Sequence, residues 1–180
     1  MGTRDRIIEA ALKVVNDLGP NRLTLEEAAR AAGVSKGGVL YHFPCKDALL
    51  SGMLDHMLDL VHARQTEIYL SLPAEPYRWT RAWVLARIGP TAVRHGPVEA
   101  AIVAASALNP ALLEPARRRI AEWEATAVAE APDPVRAAVV TLAVDGLWLN
   151  TLLGLGGSTP SCKTEILDHL LSMLSDSKGT

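Results

Sequence analysis

Apolar residues recur along this chain at spacings of three and four, the period of a helix that buries one face. Residues 3–18 set the pattern, with Ile7, Ile8, Ala11, Leu12, Val15 and Leu18 on one side. Thr3 is placed to cap this helix, and Gly19-Pro20 to stop it. Thr24 and Glu27 have the spacing of a capping box that opens a short helix, and Gly33 ends it. Ser35 opens another short helix over Lys36 to His42. Phe43-Pro44 closes it, because a proline disfavours helical geometry at the residue before it. Two helices of two turns joined at a glycine predict a helix-turn-helix.

Leu49, Leu50, Met53, Leu54, Met57, Leu58 and Val61 form a wide apolar stripe. They predict a long helix over 46–70, ended by Pro73 and Pro76. Asn109-Pro110, Asp133-Pro134 and Thr159-Pro160 each put a capping side chain before a proline at the first helical position. They predict helices near 110–130, 134–154 and 160–175. Pro90 and Gly96-Pro97 divide the intervening stretch into helices near 76–88 and 97–107. Strand-like alternation is rare, so the fold class is all-α, and the polar residues 175–180 predict a frayed end.

With 180 residues and 49% apolar content, the chain can bury a substantial core. Net charge of -2 does not point to nucleic acid. Residues 1–50 carry seven Lys/Arg and six Asp/Glu, so any DNA-binding claim rests on a motif. Glu99, Asn109, Asp145 and Asn150 interrupt the apolar runs, which predicts no membrane span. The start MGTRDRIIEA has no apolar signal core. Two cysteines, Cys45 and Cys162, exclude a disulfide scaffold and a four-ligand zinc cluster, and a cytoplasmic setting is expected. The sequence holds no glycine-rich phosphate loop, nucleophile elbow or metal-spaced cluster, and His42-x-x-Cys45 has no second pair. No catalytic residue, metal ligand or cofactor is therefore assigned, and the chain reads as a binding protein rather than an enzyme.

The run Thr24-Leu25-Glu26-Glu27-Ala28-Ala29-Arg30-Ala31-Ala32-Gly33-Val34-Ser35-Lys36-Gly37-Gly38-Val39-Leu40-Tyr41-His42-Phe43, with Lys46 and Leu49 after it, resembles the DNA-binding domain of TetR-family regulators. The resemblance covers residues 3 to about 52. It implies a three-helix DNA-binding domain over 1–47 and a helical ligand-binding and dimerisation domain over 48–180. It further implies a repressor that leaves double-stranded, palindromic operator DNA when a small-molecule inducer binds.

On this resemblance the helix begun by Ser35 enters the major groove, with Lys36 as a donor to guanine edges. Gly37 and Gly38 each lower its helicity by about 1 kcal/mol, which suits a close approach to DNA. Alternatively, a short helix pinned by Val34, Leu40 and Phe43 simply tolerates them. Tyr41 and His42 match phosphate-gripping positions, with packing as the other reading. Thr24 and Lys46 match helix N-termini that hold phosphate, and Thr24 can serve as a cap as well. Cys45 departs from the family's usual small capping residue. A thiol caps poorly and is open to oxidation beside DNA, or is a neutral replacement.

The resemblance places a homodimer interface on the helices near 134–154 and 160–175. Val139, Val140, Leu142, Ala143, Leu147, Leu149 and Leu153 surround the first almost completely, so it must be covered on all sides. Asp145-Gly146-Leu147-Trp148 and the helix before it resemble the members that sense lipophilic drugs. Trp79, Trp83, Trp123 and Trp148 all lie beyond the DNA-binding part, beside a single Phe in the whole chain. Asp145 sits in an apolar run, where a carboxylate needs a partner. Ring faces and a carboxylate suit a flat lipophilic cation, with His62 as a further lining candidate or, alternatively, a capping or surface residue. The other readings are core filling by the tryptophans and a structural pair between Asp145 and Arg87, Arg117 or Arg118. Glu122 and Glu124 read as surface charges. A neutral metabolite or antibiotic inducer, or a DNA-binding protein with no ligand, remains open.

Overall fold

Every regular element of the computed structural model is helical among the described residues, which are 2–92, 96–155 and 162–175. The α-helices are α1 (Thr3–Leu18), α2 (Leu25–Ala32), α3 (Lys36–His42), α4 (Lys46–Ser71), α5 (Arg78–Ile88), α6 (Gly96–Leu108), α7 (Glu114–Glu130), α8 (Pro134–Leu153) and α9 (Lys163–Met173). By contacts the chain forms two compact units: Met1–Asp59 with His95–Arg118, and Leu60–Arg94 with Arg119–Thr180. A cut after residue 47 would fall in the first turn of α4.

The first unit is built on α1. Ile7, Ile8, Ala11 and Val15 are buried against Leu23, Ala28, Val39, Phe43, Leu49 and Met53, and α6 adds Val98 and Ile102. The local signals in the sequence set the helix ends. Thr24 accepts from the Glu27 backbone N–H at 3.0 Å, and Ser35 accepts from that of Gly38 at 3.1 Å. Only half of the expected capping box forms, because the Glu27 carboxylate turns to the Arg30 guanidinium. Nor does Thr3 cap α1. The N-cap is Gly2, whose own N–H donates to the Asp5 carboxylate at 3.0 Å. Gly33 ends α2 at φ +64, a left-handed conformation that favours glycine.

Phe43 locks the end of α3 onto α4. Its ring is 2% exposed, and a Cβ built on Gly52 would lie 2.7 Å from its Cε1 atom. Gly52→Ala is therefore expected to cost about 1–3 kcal/mol of stability through overpacking. A thermal melt of the two proteins checks this, and an unchanged midpoint would mean that the ring can move aside freely.

In the second unit α5, α8 and α9 share a core of Tyr77, Val84, Ile88, Ala137, Val140, Val144, Leu167, Leu170 and Leu174. Tyr77 caps α5 at φ +59, rare for a side chain of this size, and is held there by 98% burial. Asp133 caps α8 as expected, accepting from Val135 and Arg136 N–H at 3.0 and 3.1 Å. Asn109 instead caps a 3-10 turn, Pro110–Leu113, and α7 starts only at Glu114. Thr159-Pro160 lies outside the described residues.

The reading of no membrane span needs correction on one point. α8 is long and apolar enough by length and composition to cross a bilayer, and only 17% of its apolar window is buried. Arg136, Asp145 and Asn150 break the apolar run without offsetting the valines and leucines around them.

Candidate functional site

Two sets of residues stand out, one in each unit. In the first, α2 and α3 present their N-termini with side chains already committed as caps. Thr24 Oγ1 uses a lone pair on Glu27 N–H, which leaves its own proton free to donate to a phosphate oxygen. Lys36 Nζ lies 2.5 Å from a Glu26 carboxylate oxygen on the exposed surface. Hydrogen bonding to Lys36 holds the Glu26 carboxyl below its usual range. An exposed pair of this kind is weak, so Lys36 can exchange Glu26 for a base edge or phosphate at small cost.

Tyr41 is 85% exposed, with its ring edge-on to His42 at 5.0 Å. Such exposure leaves the Tyr41 ring largely unpacked within the chain. At Gly37 a Cβ would meet nothing nearer than Ser35 Oγ at 3.8 Å, and at Gly38 the same atom at 3.4 Å. Nothing inside the chain requires glycine at either position. Lys46 and Cys45 are exposed at the start of α4.

In the second unit α5, α7 and α8 line a partly open cavity of about 290 Å³. Trp79, Thr80 and Trp83 face it from α5, Ile120, Trp123, Glu124, Ala127 and Val128 from α7, and Ala137, Ala138, Thr141, Leu142 and Asp145 from α8. Three of the four tryptophans and Asp145 are thus brought to one place. Trp83 and Trp123 tilt against each other at 5.7 Å, and Trp79 Nε1 donates to the Trp123 carbonyl at 3.1 Å.

Burial pushes the Asp145 carboxyl above its usual range. The Arg87 guanidinium opposes that shift, and the Glu124 carboxylate adds to it. Of the arginines expected near Asp145, Arg87 is the one that acts on it here. Arg117 instead bonds Glu114 and the Pro110 carbonyl.

His62 and Trp148 are not on the cavity wall. His62 stacks on Trp123 from α4, with ring centres 5.4 Å apart and planes 10° apart, so it backs the wall. Trp148 takes the Arg87 guanidinium over its ring at 4.8 Å, and the same group lies 5.3 Å from the Trp83 ring. Thr80 and Thr141 have no role in the sequence reading, and Glu124, read there as a surface charge, is exposed and also borders the cavity. The available signal was spacing, since Thr80 precedes Trp83 by three residues and Thr141 precedes Asp145 by four. Among the described residues, no group of three or more His, Cys, Asp or Glu is placed to hold a metal ion.

A capped helix-turn-helix in one unit and a tryptophan-walled cavity in another define a DNA-binding regulator with a helical sensing part. The comparisons agree. Residues 7–53 match the family described as bacterial regulatory proteins, tetR family, and residues 77–175 match the tetracyclin repressor-like C-terminal domain. The second match covers more than half of the chain, which belongs to the TetR family of transcriptional regulators.

These regulators bind operator DNA, dimerise and bind small molecules; they are not enzymes. The HTH-type transcriptional regulator SrpR of Pseudomonas putida is 44% identical over 61 residues, 32% of this chain and 29% of SrpR. The tetracycline repressor protein class C of Escherichia coli is 35% identical over 63 residues, 35% and 29% of the two chains. The matches thus span less than a third of these curated relatives.

Solved structures match along nearly the whole chain. A transcriptional regulator from Rhodococcus sp. Rha1 shares 26% identity over 97% of this chain and 95% of its own, with TM-score 0.72. The multidrug binding protein EbrR complexed with imidazole shares 26% over 97% and 96%, with TM-score 0.65.

Proposed function

We propose that this chain represses transcription as a homodimer and leaves its operator when a small lipophilic, drug-like cation enters the tryptophan cavity. The carrying observation is the cavity of about 290 Å³, walled by three indole rings and one partly buried carboxylate. Indole faces attract cations, and Asp145 supplies the counter-charge. The 26% identity to EbrR, a multidrug binding protein, supports the reading. A cavity of this size also favours an inducible regulator over a DNA-binding protein without a ligand.

On the DNA side, Lys36 reads a base edge in the major groove while Gly37 and Gly38 bring α3 close. Thr24, Ser35, Tyr41, His42 and Lys46 hold phosphates on either side. Two reading heads related by a two-fold axis require a palindromic operator. Dimerisation uses α8 and α9. Val135, Val139, Leu142, Leu149 and Leu153 are exposed along α8, with open space at Gly146 among them. A second copy covers this stripe better than lipid would, because hydrocarbon disfavours Arg136 and Asp145 in the same helix.

Release runs through α4, one continuous helix over Lys46–Ser71 that carries His62. A ligand that shifts Trp123 moves its stacking partner His62, and α4 with it. The coupling required is about 1–3 kcal/mol between the operator-bound and released states. His62→Ala is expected to keep inducer affinity within about threefold and to raise the concentration needed for operator release about tenfold. Calorimetry and operator release measured side by side check this, and parallel changes in both would remove His62 from the coupling path.

The experiment for the function is a tryptophan titration with planar lipophilic cations and matched neutral aromatics, at fixed salt, repeated on the operator complex. Saturable quenching by cations, with operator release over the same range, is the expected result. Selective response to neutral compounds would replace the cation by a neutral metabolite or antibiotic. No response to either would discard the cavity as the inducer site.

A further inference from the structure

The apolar residues in and around α3 are divided between its two sides. Val39 is fully buried, Phe43 lies in the core of the first unit, and Val34 packs against that core. Leu40, which the sequence groups with Val34 and Phe43 as a pin of this helix, stands apart from them. It is 39% exposed, and so is most of Tyr41 beside it.

Lys36, Gly37, Leu40 and Tyr41 make up one exposed face. Lys36 and Leu40 are one turn apart, as are Gly37 and Tyr41, whereas Gly38 and His42 are partly covered. The four positions offer different chemistry. Lys36 donates hydrogen bonds, Gly37 has no side chain, and Tyr41 carries a hydroxyl on its ring. Leu40 offers hydrocarbon alone, which gains nothing from a phosphate oxygen or from the donors and acceptors of base edges. The apolar group that base edges present in the major groove is the C5 methyl of thymine.

Resting on the reading of α3 as the helix in the major groove, we infer that Leu40 reads a thymine in each half-site by packing on its C5 methyl. Leu40 is then a specificity-determining residue alongside Lys36, one selecting by apolar contact and the other by hydrogen bonding. Gly37, next to Leu40 on the same face, has no side chain to hold it off the base edges. Contact between the leucine and the methyl removes apolar surface of both from water. Cytosine has no C5 methyl and forfeits that gain.

The test uses the full-length protein and an operator that it selects from random-sequence DNA. Each thymine of the half-site is replaced by deoxyuridine, which lacks only the methyl, symmetrically in both halves. Affinities are measured by fluorescence anisotropy at fixed salt. One position is expected to lose about fourfold per half-site, or about 15-fold for the pair, the worth of one buried methyl. Leu40→Ala is expected to bring the thymine and deoxyuridine operators within about twofold of each other at that position. At every other thymine the substitution leaves the ratio as it is in the native protein. Leu40→Met, which keeps an apolar side chain of similar volume, retains the discrimination. Each ratio compares two DNAs on one protein preparation, so an effect of the substitution on folding cancels.

A half-site in which no thymine is sensitive to deoxyuridine overturns the inference. So does a sensitivity that survives Leu40→Ala at every position. Where Lys36→Ala still weakens operator binding, α3 remains the reading helix and the role of Leu40 alone falls. If Lys36→Ala also leaves affinity unchanged, or if no sequence is selected, the reading of α3 falls with it.

Discussion

Gly37→Ala is expected to raise the thermal midpoint of the free protein and to weaken its grip on the operator, two changes of opposite sign from one methyl group. The first half follows from the helix alone. Alanine in place of a helical glycine gains about 0.5–1 kcal/mol, by removing conformational freedom from the unfolded chain. The added Cβ at Gly37 meets only Ser35 Oγ at 3.8 Å, an ordinary contact, so no strain opposes the gain.

The second half follows from where that methyl would point if the start of α3 lies in the major groove. A contact to a base edge contributes about 1–3 kcal/mol, and displacing the helix by a methyl radius loses much of it. Operator affinity is therefore expected to fall roughly 10- to 100-fold at fixed salt, with non-specific binding changed far less. A melt and an anisotropy titration on one preparation measure both. A stabilised protein with unchanged operator affinity would take this face of α3 out of the groove. Gly33→Ala is the contrasting control. Its φ of +64 strains any side chain, so stability there should fall.

The DNA-binding half was readable because its signals are local. Thr24, Ser35, Gly33 and Phe43-Pro44 act within four residues of themselves, and helix ends follow directly from such contacts. The misreadings are local competitions as well. Gly2 displaced Thr3 as the cap of α1, and Arg30 drew Glu27 out of the capping box. What could not be read is who packs on whom across long separations. α6 buries Val98 and Ile102 with the residues of α1, nearly a hundred positions earlier, and its own pattern carries no mark of that address.

The cavity shows the same divide. Spacing put Trp79 with Trp83 and Asp145 with Trp148 on common faces, but the rotation of each helix decides which neighbours look inward. Asp145 and Thr141 turn to the cavity, whereas Trp148 lies over Arg87. His62, one candidate for the wall, stands behind it, stacked on Trp123. Thr80 carried only its three-residue spacing to Trp83, a signal too common to single it out.

Asp145→Asn is expected to reduce the preference for cations sharply while making the protein more stable. Burial raises the carboxyl's pKa, so the fold disfavours the ionised form relative to the unfolded chain. That penalty is absent below the ordinary carboxylate pKa, grows as pH rises towards the raised value, and stays constant above it. The asparagine protein lacks the penalty. Its midpoint should exceed that of the native protein near neutral pH, and the two should converge in acid.

Cation binding has the opposite sign. A permanent cation favours the carboxylate over the neutral acid, so binding expels a proton and affinity increases as pH rises through the raised pKa. A charged partner of this kind contributes about 1.5–3 kcal/mol, so the substitution should weaken planar cations roughly 10- to 100-fold. Neutral aromatics of the same shape should keep their affinity, because the indole walls are intact. Arg87 sets an upper bound on the effect, since its guanidinium already supplies part of the counter-charge that a bound cation would provide. Calorimetry across pH on both proteins distinguishes the outcomes. Cation affinity that is independent of pH and unchanged by Asp145→Asn would leave the attraction to the indole rings and Glu124, and Asp145 as a structural partner of Arg87.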